Sequence, residues 1–252
     1  MDAIILAGAL NTGPLQEICT ARYEAEIDIA GRPMLEYIVK ALKQVSSIER
    51  IVVSGPQGIL AGSSLDLIFQ LVEPGSSMID SLVNGLNVLD GNQSVLVITA
   101  DIPLITAEAL EDFLVKCRLC PGDVYYSFIA KEVCEAKYPG VHRTYVKLRE
   151  GTFTGGNVAL ISGRVIRDNI EMLKKAAALR KKPLQLCSML GWKCFFQLMI
   201  GRLNISQIEN RIAKAFNFKA VGVVSAYPEI GIDVDKPSDL VLARQILSKV
   251  TN

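Results

Sequence analysis

Val95-Leu96-Val97-Ile98-Thr99-Ala100-Asp101-Ile102-Pro103-Leu104 is an aliphatic run without polar alternation that ends in a carboxylate, with a proline fixing the chain just beyond it. A short run of this kind, rich in branched side chains, reads as a strand covered on both faces. Such strands belong to parallel sheets with helices packed on either side. Working outward, Ala3-Ile4-Ile5-Leu6-Ala7 and Ile51-Val52-Val53 have the same character. Helical patterns over Pro33 to Ser46, Ser76 to Leu89 and Thr106 to Cys117 separate the strands and follow the last of them. The order β-α-β-α-β-α predicts an α/β fold in three layers, α/β/α, around a mostly parallel sheet. The helix after Asp101 has a clear start: Thr106 can cap it, and Glu108 and Glu111 place negative charge near its N-terminus.

Further along, strand-like runs are predicted at Val124 to Ala130, Tyr145 to Leu148 and Asn157 to Ile161, joined by polar, Gly-rich connections. Residues 164 to 216 read as a helical insertion, followed by a strand at Ala220 to Val224 and a helix at Pro237 to Val250. A chain of 252 residues can bury one large core, so a single domain over 1–252 is expected. The net charge of +1 gives no global attraction to nucleic acid, which is not expected as a partner. No apolar stretch approaches the roughly 20 residues of a membrane span. The opening residues lack a signal-peptide pattern, so a cytoplasmic location is expected, with the six cysteines as reduced thiols. Cys117 and Cys120 form a CxxC, but with His142 as the only histidine a zinc site is not expected. The apolar surface within Leu184 to Leu203 reads as a covering or homodimerising element, because Lys193 and Arg202 alone are a thin complement for lipid.

Three segments at the carboxyl ends of predicted strands carry candidate chemistry, since open parallel sheets bind ligands there. The loop Leu6-Ala7-Gly8-Ala9-Leu10-Asn11-Thr12-Gly13 has small residues whose backbone N–H groups can approach phosphate. It matches neither a dinucleotide GxGxxG nor a GxxxxGK[ST] loop, which argues against hydride transfer and P-loop hydrolysis. Asp101 can hold Mg²⁺, a hard cation that bridges phosphates, or can serve as a turn residue. Asp233 and Asp235, on one side of an extended segment, can complete a metal site, or Asp235 can simply favour the helix that follows.

Leu6-Ala7-Gly8, Gly31-Arg32-Pro33-Met34-Leu35, Ala100 to Leu104 and Asp233 to Leu240 together resemble the ordered signatures of the MobA-like nucleotidyltransferases. Arg143 to Asn157 and Ala178 to Leu184 resemble a bacterial branch of that family. The resemblance implies a nucleotide-diphospho-sugar transferase fold. It also implies transfer of a nucleotidyl group from an NTP to a small phosphorylated acceptor, with pyrophosphate leaving and magnesium as cofactor. In the same terms, Asp101 and Asp233, less directly Asp235, are the metal positions. Leu6, Ala7, Gly8, Ala9 and Gly13 form the nucleotide loop, and the segment from Pro74 through Gly75 to Ser81 faces the base. Gly155, Gly156 and Asn157, with Arg143, lie on the substrate side.

One departure from the family pattern concerns charge. Glu24 stands where relatives carry a lysine before Gly31, and Ala9 replaces a second loop glycine. A carboxylate beside a triphosphate repels it, so other cations are expected to serve: Arg22 from the loop side, Lys147 or Arg143 from the substrate side. The alternative is a nucleotide-binding or regulatory module of the same fold with impaired turnover. A glycosyltransferase using Asp233-Val234-Asp235 as a DxD motif is disfavoured by the position of that motif near the chain end. His142 reads as solvated or as an acceptor-side group.

Overall fold

The computed structural model describes residues 1–59, 66, 68–91, 93–179 and 182–249. Arg180 and Lys181, quoted above for the family resemblance, and Val250, the predicted end of the last helix, lie outside the described residues. In chain order the described elements begin β1 (Asp2–Leu6), β2 (Asp28–Ile29), β3 (Arg32–Pro33), α1 (Met34–Lys43), β4 (Ile51–Ser54), β5 (Gln70–Val72), α2 (Met78–Leu86), β6 (Ser94–Thr99) and α3 (Ala107–Leu119). They continue with β7 (Val124–Ala130), α4 (Lys131–Lys137), β8 (Val146–Leu148), β9 (Gly151–Ser162), α5 (Gly163–Asp168) and α6 (Ile170–Ala178). The last are α7 (Pro183–Ser188), α8 (Trp192–Met199), α9 (Ile205–Phe216), β10 (Ala220–Ser225) and α10 (Pro237–Leu247).

The main sheet has the order β10-β7-β9-β6-β1-β4-β5, with β8 paired to β9. β6, β1, β4 and β5 are mutually parallel, as are β7 and β10. β9 alone is antiparallel to β6, β7 and β8. The sheet is therefore mostly parallel with one reversed long strand.

The alternation of side chains along each strand splits the core. Ala3, Ile5, Val53, Leu96 and Ile98 face one side, packed with Leu35, Ile38 and Leu42 of α1 and Leu110 and Phe113 of α3. Ile4, Val52, Val95 and Val97 face the other, against Ile79, Leu82 and Leu86 of α2 and Ile166 of α5. Both faces are covered, which is why these strands read as unbroken apolar runs. The caps follow the chemistry of the sequence: Thr106 Oγ1 accepts from Ala109 N at 3.3 Å and Ser77 Oγ from Asp80 N at 3.1 Å.

Four elements go beyond the sequence expectations, two of them the two-residue strands β2 and β3. β5 is an edge strand of three residues, too short to give a pattern, and α4 is polar enough to read as a connection. β9 begins at Gly151 rather than Asn157, so Gly155 and Gly156 lie inside a strand.

Close backbone approach fixes the turn between β5 and α2. A Cβ on Gly75 would stand 2.3 Å from Asp80 Cβ and 2.6 Å from Asp80 C, so a side chain must displace the first turn of α2. Gly75→Ala should destabilise the protein by about 1–3 kcal/mol, the usual range for overpacking. Urea unfolding with an unchanged m-value checks this, and an unaltered midpoint would contradict it.

Candidate active site

The site is built where β6 ends. Asp101 follows Thr99, the last residue of β6, and Thr99 Oγ1 donates a short hydrogen bond to Asp101 Oδ1. Ala100 N donates to Leu6 O at 3.1 Å, which ties this turn to the end of β1. From the other end of the chain, Val234 N donates to Asp101 O at 2.8 Å. That bond sets the residues flanking Val234 beside Asp101. Carboxylate oxygens of Asp101, Asp233 and Asp235 lie within 4.8 Å of one another.

The segment carrying Asp233 is pinned on both sides. Before it, the 3₁₀ turn Pro228–Gly231 holds Glu229, which is 2% exposed. Glu229 Oε1 accepts from Tyr138 Oη at 2.6 Å and pairs with Lys137. Burial, and then the Glu229 carboxylate, push the Tyr138 hydroxyl well above its ordinary value, so it stays a donor. After it, Asp235 N donates to Asp239 Oδ2 at 3.3 Å and Pro237 starts α10.

Arg143 is the cation of this cluster. It forms an ion pair with Asp233, and its Nη2 donates to Asp233 O at 3.1 Å. Burial pulls its basicity down, while Asp239, Asp235 and Asp101 support its charge. A guanidinium remains protonated in such surroundings. Three carboxylates against one guanidinium leave a net anionic set of hard oxygens, the donor type that suits Mg²⁺.

Beside the carboxylates opens a cavity of about 180 Å³. Asp233, Asp235, Arg143, Gly155, Gly156 and Asn157 all contribute to its wall, with His142. Folding thus gathers Arg143, Gly155, Gly156 and Asn157, though not Lys147, next to two of the predicted metal positions. The wall owes its shape to an irregularity in β9. Opposite the step from Tyr126 to Phe128 on β7, β9 moves from Ala159 to Gly155, so Gly156, Asn157 and Val158 leave the register with β7, while Val158 stays paired with Ile98 of β6. Side chains take over the lost pairing: Tyr126 Oη donates to Gly156 O at 2.9 Å and Ser127 Oγ to Val158 O at 2.7 Å. A Cβ on Gly156 would stand 2.1 Å from Ser127 Oγ, which is why glycine occupies the bulge.

Tyr126, Thr144, Val146 and Thr154 also line the cavity and are absent from the sequence expectations. No spacing in the sequence announces them, because the pairing of β7 and β8 with β9 brings them together.

The small-residue loop lies at the end of β1. Ala7 N donates to Ser54 O at 2.7 Å, and a Cβ on Gly8 would stand 2.5 Å from Pro74 Cβ. Pro74 leads into Gly75, whose N donates to Ser81 Oγ at 2.9 Å. Leu6, Ala7, Gly8, Gly75 and Ser81 are therefore neighbours at one edge of the strand ends. The rest of the loop folds onto residues 19–24: Asn11 N donates to Arg22 O at 2.9 Å and Glu24 N to Ala9 O at 3.0 Å. Asn11 Nδ2 bonds Cys19 O and Ala21 O. Gly13 precedes the 3₁₀ turn at Pro14, with open space around its α-carbon.

Arg22 stacks on Tyr23, its guanidinium 5.5 Å from the ring centre, and lines a second cavity of about 420 Å³ with Asn11 and Thr12. Lys147 does not line the first cavity. Its neighbour Val146 does, and alternation along β8 sends Lys147 the other way, where its stem meets Gly201.

Comparison with known proteins places this geometry in a family. Residues 19–184 match the model of the MobA-like NTP transferase domain. A hypothetical transferase structure from Thermus thermophilus is similar at 32% identity, with a TM-score of 0.82 over 95% of this chain and 98% of that one. At lower identity the fold is shared by CMP:2-keto-3-deoxy-manno-octonic acid synthetase complexed with CTP, at 15%, TM-score 0.61 and 99% of both chains. It is also shared by 2-C-methyl-D-erythritol 4-phosphate cytidylyltransferase, again from Thermus thermophilus, at 14%, TM-score 0.55 and 98% of both chains. None of the curated proteins matches the chain. The family model covers more than half of the residues, and the chain belongs to the MobA-like NTP transferases.

Proposed function

We propose that this chain is a Mg²⁺-dependent nucleotidyltransferase that moves an NMP group from an NTP to a small phosphorylated acceptor and releases pyrophosphate. The observation that carries the reading is the convergence of Asp101, Asp233 and Asp235 at the strand ends, between a small-residue loop and a polar cavity. Their carboxylates would hold the metal, and the anionic cluster with a single guanidinium fits a divalent cation. When bound, Mg²⁺ neutralises phosphate charge and aligns the two reacting oxygens. The 252 residues form one domain in this reading, with the helical insertion at about 164–216 attached to it.

The chain's own residues do the positioning. The loop from Leu6 to Gly13 faces the triphosphate with backbone N–H groups other than those of Ala7, Asn11 and Thr12, which already donate to Ser54 O, Arg22 O and Leu10 O, and the segment from Gly75 to Ser81 faces the base. The acceptor sits in the cavity, where Arg143, Asn157, the exposed backbone of Gly155 and the buried backbone of Gly156 behind it orient its phosphate. An acceptor phosphate oxygen attacks the α-phosphorus, and the bond to the bridging oxygen of pyrophosphate breaks with its electron pair leaving on that oxygen. Such transfer needs alignment and charge neutralisation rather than covalent help from the protein.

The cation question divides by place. Arg22 lies beside the loop through its backbone bond to Asn11, whereas Lys147 points across β8. Support for Arg22 is accordingly stronger. Measured separately, Arg22→Ala should lower the rate of pyrophosphate release by at least about tenfold, and an unchanged rate in both Arg22→Ala and Lys147→Ala would remove both from the reaction.

One observation favours a second reading, a nucleotide-binding module with impaired turnover. Glu24 is hydrogen-bonded by its backbone to Ala9, so both departures from the family pattern sit side by side at the phosphate loop. Pyrophosphate release with each of the four NTPs, Mg²⁺ and a panel of phosphorylated acceptors separates the two. Release that falls roughly 10²–10³-fold in Asp101→Asn and in Asp233→Asn is the expected result for the enzyme. Thermal stabilisation by Mg²⁺ and NTP without any release would establish the binding module instead.

A further inference from the structure

The helical segment after β9 presents a face that nothing else among the described residues covers. Trp192, Phe196, Met199 and Ile200 recur at i, i+4, i+7 and i+8 along α8 and its C-cap, the spacing of one helical face. All are exposed, Trp192 at 73% and Phe196 at 62%, and Leu184 on α7 is exposed as well. The opposite face of α8 is already satisfied: Cys194 and Leu198 pack with Cys187, Leu203, Leu148 and Phe153. This is an amphipathic helix whose outward side is its second apolar side, and aromatic rings hold it in shape, with Trp192 edge-on to Phe195 and Phe195 edge-on to Phe196. Contiguous exposed apolar side chains of this size mark a contact surface.

The charge around that surface is mostly positive, Glu150 being the exception, its Oε1 accepting from Ile205 N at 3.0 Å. Lys193 lies on α8, Arg202 just beyond it, and Lys182 at the N-cap of α7. Folding adds cations that the sequence keeps far away. Lys147 lays its stem against Gly201, Arg149 N donates to Leu203 O at 2.8 Å, and Arg211 Nη1 donates to Leu190 O at 3.2 Å. Among the described residues none of these six cations takes part in an ion pair. A second copy seated here by two-fold symmetry would bring the same cations against one another. Anionic lipid headgroups would neutralise them, while the headgroup boundary is where Trp and Phe beside Lys and Arg are most stable.

We propose that the face formed by α7 and α8 docks on an anionic bilayer surface, with Trp192, Phe196, Met199 and Ile200 inserted at the headgroup boundary and Lys182, Lys193 and Arg202 against lipid phosphates. The cluster behind this face includes Val146, which also lines the acceptor-side cavity, so docking holds that wall of the cavity close to the membrane. The docking does not depend on the proposed reaction and is read without it.

Trp192 is the only tryptophan of the chain and therefore a built-in reporter. The intact protein is mixed with vesicles of phosphatidylglycerol and phosphatidylcholine in equal parts, or of phosphatidylcholine alone, at low and high salt. With the anionic vesicles at low salt, the Trp192 emission should move to the blue and the protein should sediment with the lipid; high salt or pure phosphatidylcholine should suppress both. Phe196→Glu with Ile200→Glu should weaken binding by at least about tenfold, since burying one such side chain is worth a factor of roughly ten or more. Lys182→Glu, Lys193→Glu and Arg202→Glu should each weaken it by roughly fivefold. These positions are at the surface, and an unchanged melting temperature confirms that the variants fold. No blue shift and no co-sedimentation would overturn the proposal, as would equal binding to uncharged vesicles. A blue shift that appears without lipid as protein concentration rises, together with a dimer in sedimentation velocity, would assign the face to a second copy instead.

Discussion

A backbone hydrogen bond from Val234 to the carbonyl of Asp101 joins the end of a central strand to a segment far along the chain, and the site depends on it. Without that bond the three carboxylates have no reason to share a space of 4.8 Å, because their mutual repulsion opposes it. The cost is offset by anchors on each side. Arg143 supplies the counter-charge, Glu229 is held by Tyr138 and Lys137, and α10 starts at Pro237 directly after the acidic pair. In the proposed reaction an anionic cluster held in this way would be a preorganised cradle for a cation.

The reversed strand gives the cradle its cavity. β9 runs past the end of β6 toward Gly151, against the direction of its neighbours, so Thr154 to Asn157 come to line a cavity with Asp233 and Asp235. There the pairing with β7 breaks at Gly156 to Val158, and Tyr126 and Ser127 replace backbone partners with side-chain donors. A regular strand would have placed a flat wall at this point. The bulge instead turns Asn157 and two glycine backbones toward the space beside Asp233. On the other flank, small residues let loop and turn come close enough for Gly8 to meet Pro74.

How much of this could be read from the chain follows from which interactions are local. The apolar runs ending in Leu6, Ser54 and Thr99 announce buried parallel strands, because burial on both faces removes polar alternation. Asp101, Asp233 and Asp235 are legible as candidates since each follows a strand or precedes a Pro-started helix. The cavity is legible in part: Arg143 and Gly155 to Asn157 stand out, whereas Tyr126 and Thr154 reach it only through cross-strand pairing. Lys147 has the charge and the neighbourhood for the substrate side, yet period-two alternation on β8 sends it to the opposite side from Val146. The cations gathered around α8 are likewise hidden, since the sequence separates them and only packing assembles them.

In the proposed reaction a divalent ion held by Asp101, Asp233 and Asp235 grips a triphosphate at the strand ends. The most direct measurement is a crystal structure with Mn²⁺ in place of Mg²⁺ and a non-hydrolysable NTP analogue, with the metal located by anomalous scattering. The expected result is an anomalous peak in contact with Asp101 and Asp233, with phosphate oxygens on its other side and the base toward Gly75. A nucleotide bound elsewhere, or a metal that leaves these carboxylates untouched while the analogue is fully ordered, would contradict it.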